Sequence, residues 1–336
     1  MANISMIGAG SWGIALATVL ESNGHEVTIW SAIEQEIAML SKEHEHKAKL
    51  PGVRLSKRIG LTIELEEAIR GRDLLVMAVP SVYVRSTAKQ MQPYVAEGQL
   101  IVNVAKGIEE GSLMTLTDMI SEEIPQAEVA ALSGPSHAEE VGRGLPTTCV
   151  AGAKKKEIAE LIQNVFMNDV FRVYTSPDLL GIELGGALKN VIALAAGMAD
   201  GLGYGDNTKA ALITRGITEI ARLALAMGAK FETISGLTGI GDLIVTCASK
   251  HSRNRRAGML IGQGLSMEEA MEEVQMVVEG VYSAKAAQAL SEKYQVSMPI
   301  IGQVNQVLFA GKPVREAVHE LMLRDKKAEH DELWED

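Results

Sequence analysis

A chain of 336 residues is long for one ordinary domain and predicts two, and an apolar share of 47% supplies large cores. With 32 basic and 43 acidic residues the formal net charge is −11, which argues against bulk affinity for nucleic acid or an anionic membrane. The two cysteines, Cys149 and Cys247, are far apart in apolar surroundings; they read as small buried hydrophobes rather than a disulfide framework, and favour a reducing, cytoplasmic compartment.

No basic segment precedes an apolar one at the N-terminus, so no signal peptide is expected. Lysines, acids or glycines interrupt each apolar run, so none is expected to cross a bilayer. Ile4–Ile7 reads as a strand and runs at once into Gly8-Ala9-Gly10-Ser11-Trp12-Gly13, a G-x-G-x-x-G that opens a helix over Ile14–Ser22, stopped at Gly24. In this pattern Gly8 permits the tight turn, Gly10 lets backbone approach a pyrophosphate, and Gly13 lets helix and strand pack closely. The first N–H groups of the helix then face the phosphates.

Glu26–Trp30 is the second strand, followed by Leu74–Val79, Leu100–Ala105, Val129–Leu132, Thr147–Ala151 and Phe171–Thr175. Strands alternating with helices predict a mainly parallel, doubly wound sheet, whose ligands collect at the carboxyl ends of its strands. Gly8–Gly13, Pro80-Ser81, Lys106-Gly107 and Ser133–Ser136 all fall at such ends and are expected to line one cleft. After about Pro177 helices dominate: Leu184–Ala199, Thr208–Met227 with Asp206 or Asn207 as N-cap, Met267–Val278, Ala284–Tyr294, Ile301–Leu308 and Val314–Met322. The expected organisation is therefore an α/β dinucleotide-binding domain over residues 1–178 and an all-helical domain over 179–336, whose charged tail from Arg324 onward reads as fraying, solvated surface.

Several side chains stand out against this frame. Lys189 lies in Gly185–Gly197, where Asn190 is the only other polar side chain; a lysine there is either desolvated, with a lowered pKa suited to proton transfer, or it snorkels or pairs with an acid such as Glu183. Asp242, after Gly239 and Gly241, either orients a hydroxyl or holds Lys189, or it caps the following helix. Ser252-Arg253-Asn254 offers a hydroxyl, a planar fork and an amide suited to a phosphate, although loop arginines are ordinarily solvated; Arg255 and Arg256 read as surface charge. Lys106 ends a buried strand at the cleft. His137, after Gly134-Pro135-Ser136, is a base or a helix-start residue. His44-Glu45-His46 reads as exposed, with spacing wrong for a metal site, and no metal is expected.

Taken together, Gly8–Gly13, Val104–Gly107, Leu132–Glu140, Phe171–Tyr174, Gly185–Gly197, Ala211–Gly216, Gly236–Cys247, Ser252–Arg256 and Val277–Gly280 closely resemble the bacterial-type NAD(P)-dependent glycerol-3-phosphate dehydrogenases over nearly the whole chain. The resemblance implies a Rossmann domain followed by a helical one, often as a homodimer. It makes Lys189 the catalytic proton donor and acceptor. It places Lys106, Gly134, Ser136, Asp242, Ser252, Arg253 and Asn254 on glycerol phosphate. It matches Ser11, Trp12, Lys106, Ala138, Arg253, Val277 and Glu279 to cofactor contacts, beside Gly8, Gly10 and Gly13 of the glycine pattern and Lys49 of the following loop, with Lys106 and Asp242 also assisting catalysis.

One stretch departs from the family. Trp30-Ser31-Ala32-Ile33-Glu34 carries neither the arginine or histidine that meets a 2′-phosphate in many relatives nor an acid at the strand end for the ribose of NAD. Lys42, Lys47 or Lys49 from the next loop is then the source of positive charge, and NADPH is mildly preferred over NADH. The alternatives are another two-domain reductase of the ketopantoate or 3-hydroxyacid type, which would not need the Ser-Arg-Asn cluster, and a non-catalytic module that senses NAD(P)H.

Overall fold

The strands β1 (Asn3–Ile7), β2 (Glu26–Trp30), β3 (Gly60–Thr62), β4 (Leu74–Met77), β5 (Leu100–Asn103), β6 (Glu128–Ser133), β7 (Thr147–Gly152) and β8 (Phe171–Ser176) form one sheet in the order β3-β2-β1-β4-β5-β6-β7-β8. All neighbours are parallel except β6 and β7. The first six follow the 3-2-1-4-5-6 order of the dinucleotide-binding fold, whose switch point lies between β1 and β4. The structure is a computed structural model and describes residues 1–326, 328 and 329; the rest of the charged tail lies outside the described residues. The short edge strand β3 is absent from the sequence expectation, since three residues show no periodicity.

Helices cover both faces of the sheet: α1 (Ser11–Ser22), α2 (Glu34–Glu43), α3 (Leu65–Ile69), α4 (Ser81–Met91), α5 (Leu116–Glu123), α6 (Ala138–Val141) and α7 (Lys156–Phe166). β1, β4 and β5 are buried almost throughout, as both-face coverage requires, and separate apolar clusters fill the two sides.

Every described helix or strand beyond Ser176 is helical: α8 (Leu179–Gly201), α9 (Asp206–Ala226), α10 (Phe231–Ile234), a π-turn at Leu237–Gly241, α11 (Asp242–Ala248), α12 (Arg253–Gly262), α13 (Met267–Val274), α14 (Glu279–Lys293), α15 (Pro299–Ala310) and α16 (Val314–Met322). Side-chain caps at Asp178, Ser252 and Ser266 start α8, α12 and α13. α9 instead starts after Gly205 with no side-chain cap, so neither Asp206 nor Asn207 fills that role. The expected helix Met267–Val278 breaks at Gln275, whose left-handed φ of 57° ends α13 and turns the chain into α14.

α8 runs through the centre of the helical part. It is long and apolar enough to cross a membrane, with a mean hydropathy of 1.5 over an 18-residue window, contrary to the expectation that no run is; yet 89% of that window is buried inside the protein. Its length and greasiness are those of a core helix wrapped by others. α12 meets it backbone to backbone. A Cβ on Gly197 or Gly201 would come within 2.1 or 2.2 Å of the carbonyl oxygens of Arg255 and Met259. One on Gly258 or Gly262 would come within 2.2 or 2.3 Å of those of Leu194 and Met198. Two glycines a helical turn apart on each helix thus set the distance between the segments that carry Lys189 and Arg253.

Candidate active site

The cleft starts at the glycine loop. Gly8 has φ +126°, and a Cβ there would meet the backbone of Ala78 at 2.8 Å; one on Gly13 would meet the carbonyl of Gly8 at 2.3 Å. Only glycine fits either position. Gly10 is the N-cap of α1 and supplies no side chain, so the helix-start N–H groups at Ser11, Trp12 and Gly13 face the loop side without a side-chain cap. A phosphate fits such a terminus, and the buried, unpartnered Trp12 indole N–H stands at the same turn.

The other three strand-end turns pack against one another and against α8. Lys106 Nζ donates to the Gly134 carbonyl at 2.9 Å, and Ser136 Oγ donates to the same oxygen at 3.0 Å. Gly107 lies against Ser81, and Gly186 of α8 lies against both Ser133 and Lys106. Gly134 has φ +150° and no room for a Cβ beside the Thr148 carbonyl at 2.9 Å. The buried Ser133 hydroxyl has no partner.

α8 and α11 add the charged centre. Lys189 is 6% exposed and Asp242 1% exposed. Lys189 Nζ donates to Asp242 Oδ1 and to Thr246 Oγ1, each at 2.7 Å, while Lys106 Nζ donates to Asp242 Oδ2 at 2.6 Å. Lys189 therefore neither snorkels nor pairs with Glu183, whose carboxylate accepts from the Thr117 amide at 2.9 Å and from the Thr117 hydroxyl. Thr246 Oγ1 in turn donates to the Asp242 carbonyl at 2.6 Å, which turns its lone pairs toward the ammonium. Asp242 opens α11 without capping it.

Burial pushes the Lys189 ammonium down, Asp242 pulls it back, and Lys106 lowers it again; it settles at about 8. Burial raises Asp242, but the charges of Lys106 and Lys189 outweigh it and hold the carboxyl below its usual range. Glu183, equally buried but facing only neutral donors, is pushed up to about 7.

α12 and α14 form the remaining wall. Asn254 Nδ2 donates to Asn190 Oδ1 at 2.9 Å, and Asn254 Oδ1 accepts the Gly280 N–H at 2.8 Å, so an amide relay ties α8, α12 and α14 together. Ser252 caps α12 by accepting the Arg255 N–H at 3.1 Å, and its hydroxyl hydrogen stays available. Arg253 begins α12 half-buried, with its guanidinium 3.4 Å from the Val277 carbonyl. Arg255 is not the solvated charge expected from sequence: it is bound to Asp200 at 2.7 Å, because α12 lies directly on α8. Arg256 is exposed beside Glu273. The carboxylate of Glu279 accepts the Ser81 N–H at 3.0 Å and the Ser81 hydroxyl, fastening α14 to the start of α4.

His137 precedes α6, its ring centroid 6.1 Å from that of His251 and its Nε2 buried without a partner; burial, then the Lys189 charge, lower its pKa. Ala138 is buried at the first position of α6. Both cysteines are free and buried, with their thiols pushed up to about 12 by burial.

Lys49 is bonded to Glu36 of α2. Lys47 pairs with Glu43 at the surface, and Lys42 sits on α2 rather than in the loop beyond it. His46 is 4% exposed, not the surface residue expected, because it folds back under α2 toward Glu36. Sequence reasoning missed Thr246, Asn190 and Glu36. Thr246 lies one helical turn beyond Asp242, a spacing that marks a shared helix face; Glu36 sits two residues past the strand-end segment searched for an acid.

Residues 3–159 match the model of the NAD-dependent glycerol-3-phosphate dehydrogenase N-terminus, and residues 178–319 that of the C-terminus. The chain is 68% identical over 333 residues, 99% of each chain, to glycerol-3-phosphate dehydrogenase [NAD(P)+] of Agathobacter rectalis. It is 60% identical to that of Fusobacterium nucleatum over 98% of this chain and 99% of the other. The crystal structure of glycerol-3-phosphate dehydrogenase from Coxiella burnetii superposes with a TM-score of 0.93 at 35% identity, covering 96% of this chain and 99% of that one.

Proposed function

The chain belongs to the NAD-dependent glycerol-3-phosphate dehydrogenase family, and from that premise we propose how its cleft carries out the reversible, NAD(P)H-dependent reduction of dihydroxyacetone phosphate to sn-glycerol 3-phosphate. The single observation that carries the reading is Lys189: a buried ammonium with a pKa of about 8, two of its hydrogens taken by Asp242 and Thr246 and the third left for a substrate oxygen.

The dinucleotide, when bound, supplies the hydride that adds to the ketone carbon. Gly8, Gly10 and Gly13, with the N–H groups of Ser11 and Trp12, would hold its pyrophosphate, and Ala138, Val277, Glu279 and Lys49 are its further contacts. Arg253, Asn254 and Ser252 hold the substrate phosphate and convert its binding energy into alignment of the ketone; Gly134 and Ser136 border the same space. As negative charge grows on the ketone oxygen, Lys189 gives it a proton and Lys106 adds positive field. Asp242 fixes both amines and keeps its own charge throughout, so the cluster carries one net positive charge before proton transfer. In the reverse direction neutral Lys189 accepts the proton of the alcohol.

In this reading residues 1–178 carry most of the dinucleotide site together with Lys106, and 179–336 carry Lys189, Asp242 and the phosphate-binding Ser252, Arg253 and Asn254. NADPH is mildly preferred, a view supported by the family resemblance. The protein works in the cytoplasm as a homodimer, without a metal; buried free cysteines and a net charge of −11 support a reducing compartment and no nucleic-acid or membrane partner. The test is initial-rate assay of dihydroxyacetone phosphate, dihydroxyacetone and ketopantoate with each reduced nucleotide. Turnover is expected on the phosphorylated ketone alone, and Arg253→Ala should raise its KM by about 10- to 100-fold, the loss of a charge-assisted contact. Equal turnover of an unphosphorylated ketone would favour a ketopantoate-type reductase; binding without oxidation would favour a sensor.

A further inference from the structure

The end of β2 carries no carboxylate of its own, as its sequence suggests, but one reaches it from the next helix. Ser31 follows Trp30, whose carbonyl accepts the Gly8 N–H at 2.9 Å, so Ser31 borders the glycine loop. Glu36, on the first turns of α2, turns back and accepts from the Ser31 hydroxyl at 2.7 Å and from the Lys49 ammonium. His46 Nδ1 accepts the Lys49 backbone N–H at 3.2 Å, which leaves the ring hydrogen of the neutral form on Nε2. That buried nitrogen has no hydrogen-bond partner and points at Glu36 from 3.6 Å. Burial raises the Glu36 carboxyl, but His46, Lys49 and Ser31 around it lower it to about 2, so it is ionised. In doubly wound dinucleotide folds an acid some 20 residues beyond the glycines grips the ribose hydroxyls, and Glu36 occupies that part of the chain.

We propose that Glu36 is the cofactor-selectivity residue of this chain: it neutralises Lys49, engages Ser31 and opposes the 2′-phosphate of NADP(H). This rests on the dinucleotide-binding reading given above and sharpens its NADPH preference. Glu36 keeps that preference small, because a dianionic phosphate placed here meets a carboxylate and a cation already paired. Removing the carboxylate charge frees Lys49 and the Ser31 hydroxyl to serve as phosphate donors. The side chain is a specificity determinant and takes no part in proton or hydride transfer.

The experiment is titration of NADH and NADPH fluorescence against wild type, Glu36→Gln, Lys49→Met and the double variant, giving dissociation constants without turnover. Glu36→Gln should shift the ratio of the two constants toward NADPH by about tenfold, the size of a relieved like-charge contact. Lys49→Met should cost NADPH selectivity far more in the Glu36→Gln background than in wild type. Glu36→Ala removes the same charge and serves if the amide variant folds poorly. An unchanged ratio in both Glu36 variants, or one shifted toward NADH, overturns the proposal, as does an absence of coupling to Lys49. Failure of wild type to bind either nucleotide defeats the functional reading itself and is distinct from those results.

Discussion

The glycine loop and the lysine centre build their sites by opposite means. The loop is made of backbone: six consecutive residues, two of them without room for a Cβ, around a helix start left uncapped. The lysine centre is made of side chains brought from afar, with Lys189 and Lys106 reaching Asp242 across 53 and 136 positions of sequence. A backbone site needs no ionised group and presents N–H groups whose direction the helix fixes. A side-chain site can be tuned. Glu183 and Asp242 are both buried, yet only the one facing two ammonium groups keeps a low pKa, whereas the one facing neutral donors rises to about 7. In the proposed mechanism the binding role falls to the region that cannot titrate, and the proton-transfer role to the region that can.

The largest effect that would break this division comes from Lys189→Ala. Turnover should fall by roughly two to four orders of magnitude, the range for a lost acid–base group, with little change in nucleotide affinity measured by titration. Near-normal turnover would remove the lysine from the chemistry. Gly8→Ala tests the other region: strained φ and a clash with the Ala78 backbone should cost about 2–4 kcal/mol of stability and weaken nucleotide binding at least about tenfold. Thermal melts and the same titration read both; a variant that binds normally would show that the loop does not hold the phosphates.

The pH profile sharpens the contrast further. In the proposed mechanism reduction uses the ammonium, so its rate should fall about tenfold per pH unit above the Lys189 pKa of about 8, while oxidation should rise through that value. Profiles of the same sign in both directions would contradict the assignment. A last effect lies far from the cleft and leaves its chemistry untouched. Buried Glu219 accepts the N–H groups of Ile300 and Ile301 at the start of α15, and burial raises it from 4.5 to about 7. The folded state therefore holds its proton longer than the unfolded one, so stability falls as pH rises from about 4.5 to 7, by up to about 3 kcal/mol. Glu219→Gln should flatten that part of a denaturation–pH curve, and an unchanged slope would remove Glu219 as its cause.

Much of this was legible in the sequence for a physical reason. The strand, glycine and helix pattern of Ile4–Ser22 is local, and each residue's requirement is met within a few positions of itself. Lys189 was conspicuous because a charge in so apolar a helix must be desolvated or paired. Which of these held was undecidable in one dimension, since the partner depends on how α8 and α11 cross. His46 and Arg255 were misjudged for the same reason: polar local surroundings suggest exposure, but α2 and α8 fold over them.

The sequence alone determined the alternation of strands and helices, the phosphate-ready turn and the presence of a misplaced lysine, because these depend on neighbours along the chain. Only the tertiary structure decided that Asp242 takes both amines, that Thr246 directs one of them, that α12 lies on α8 through paired glycines, and that Glu36 closes on Lys49. Those depend on the distance and burial of groups far apart in sequence, and both are set when the helices pack.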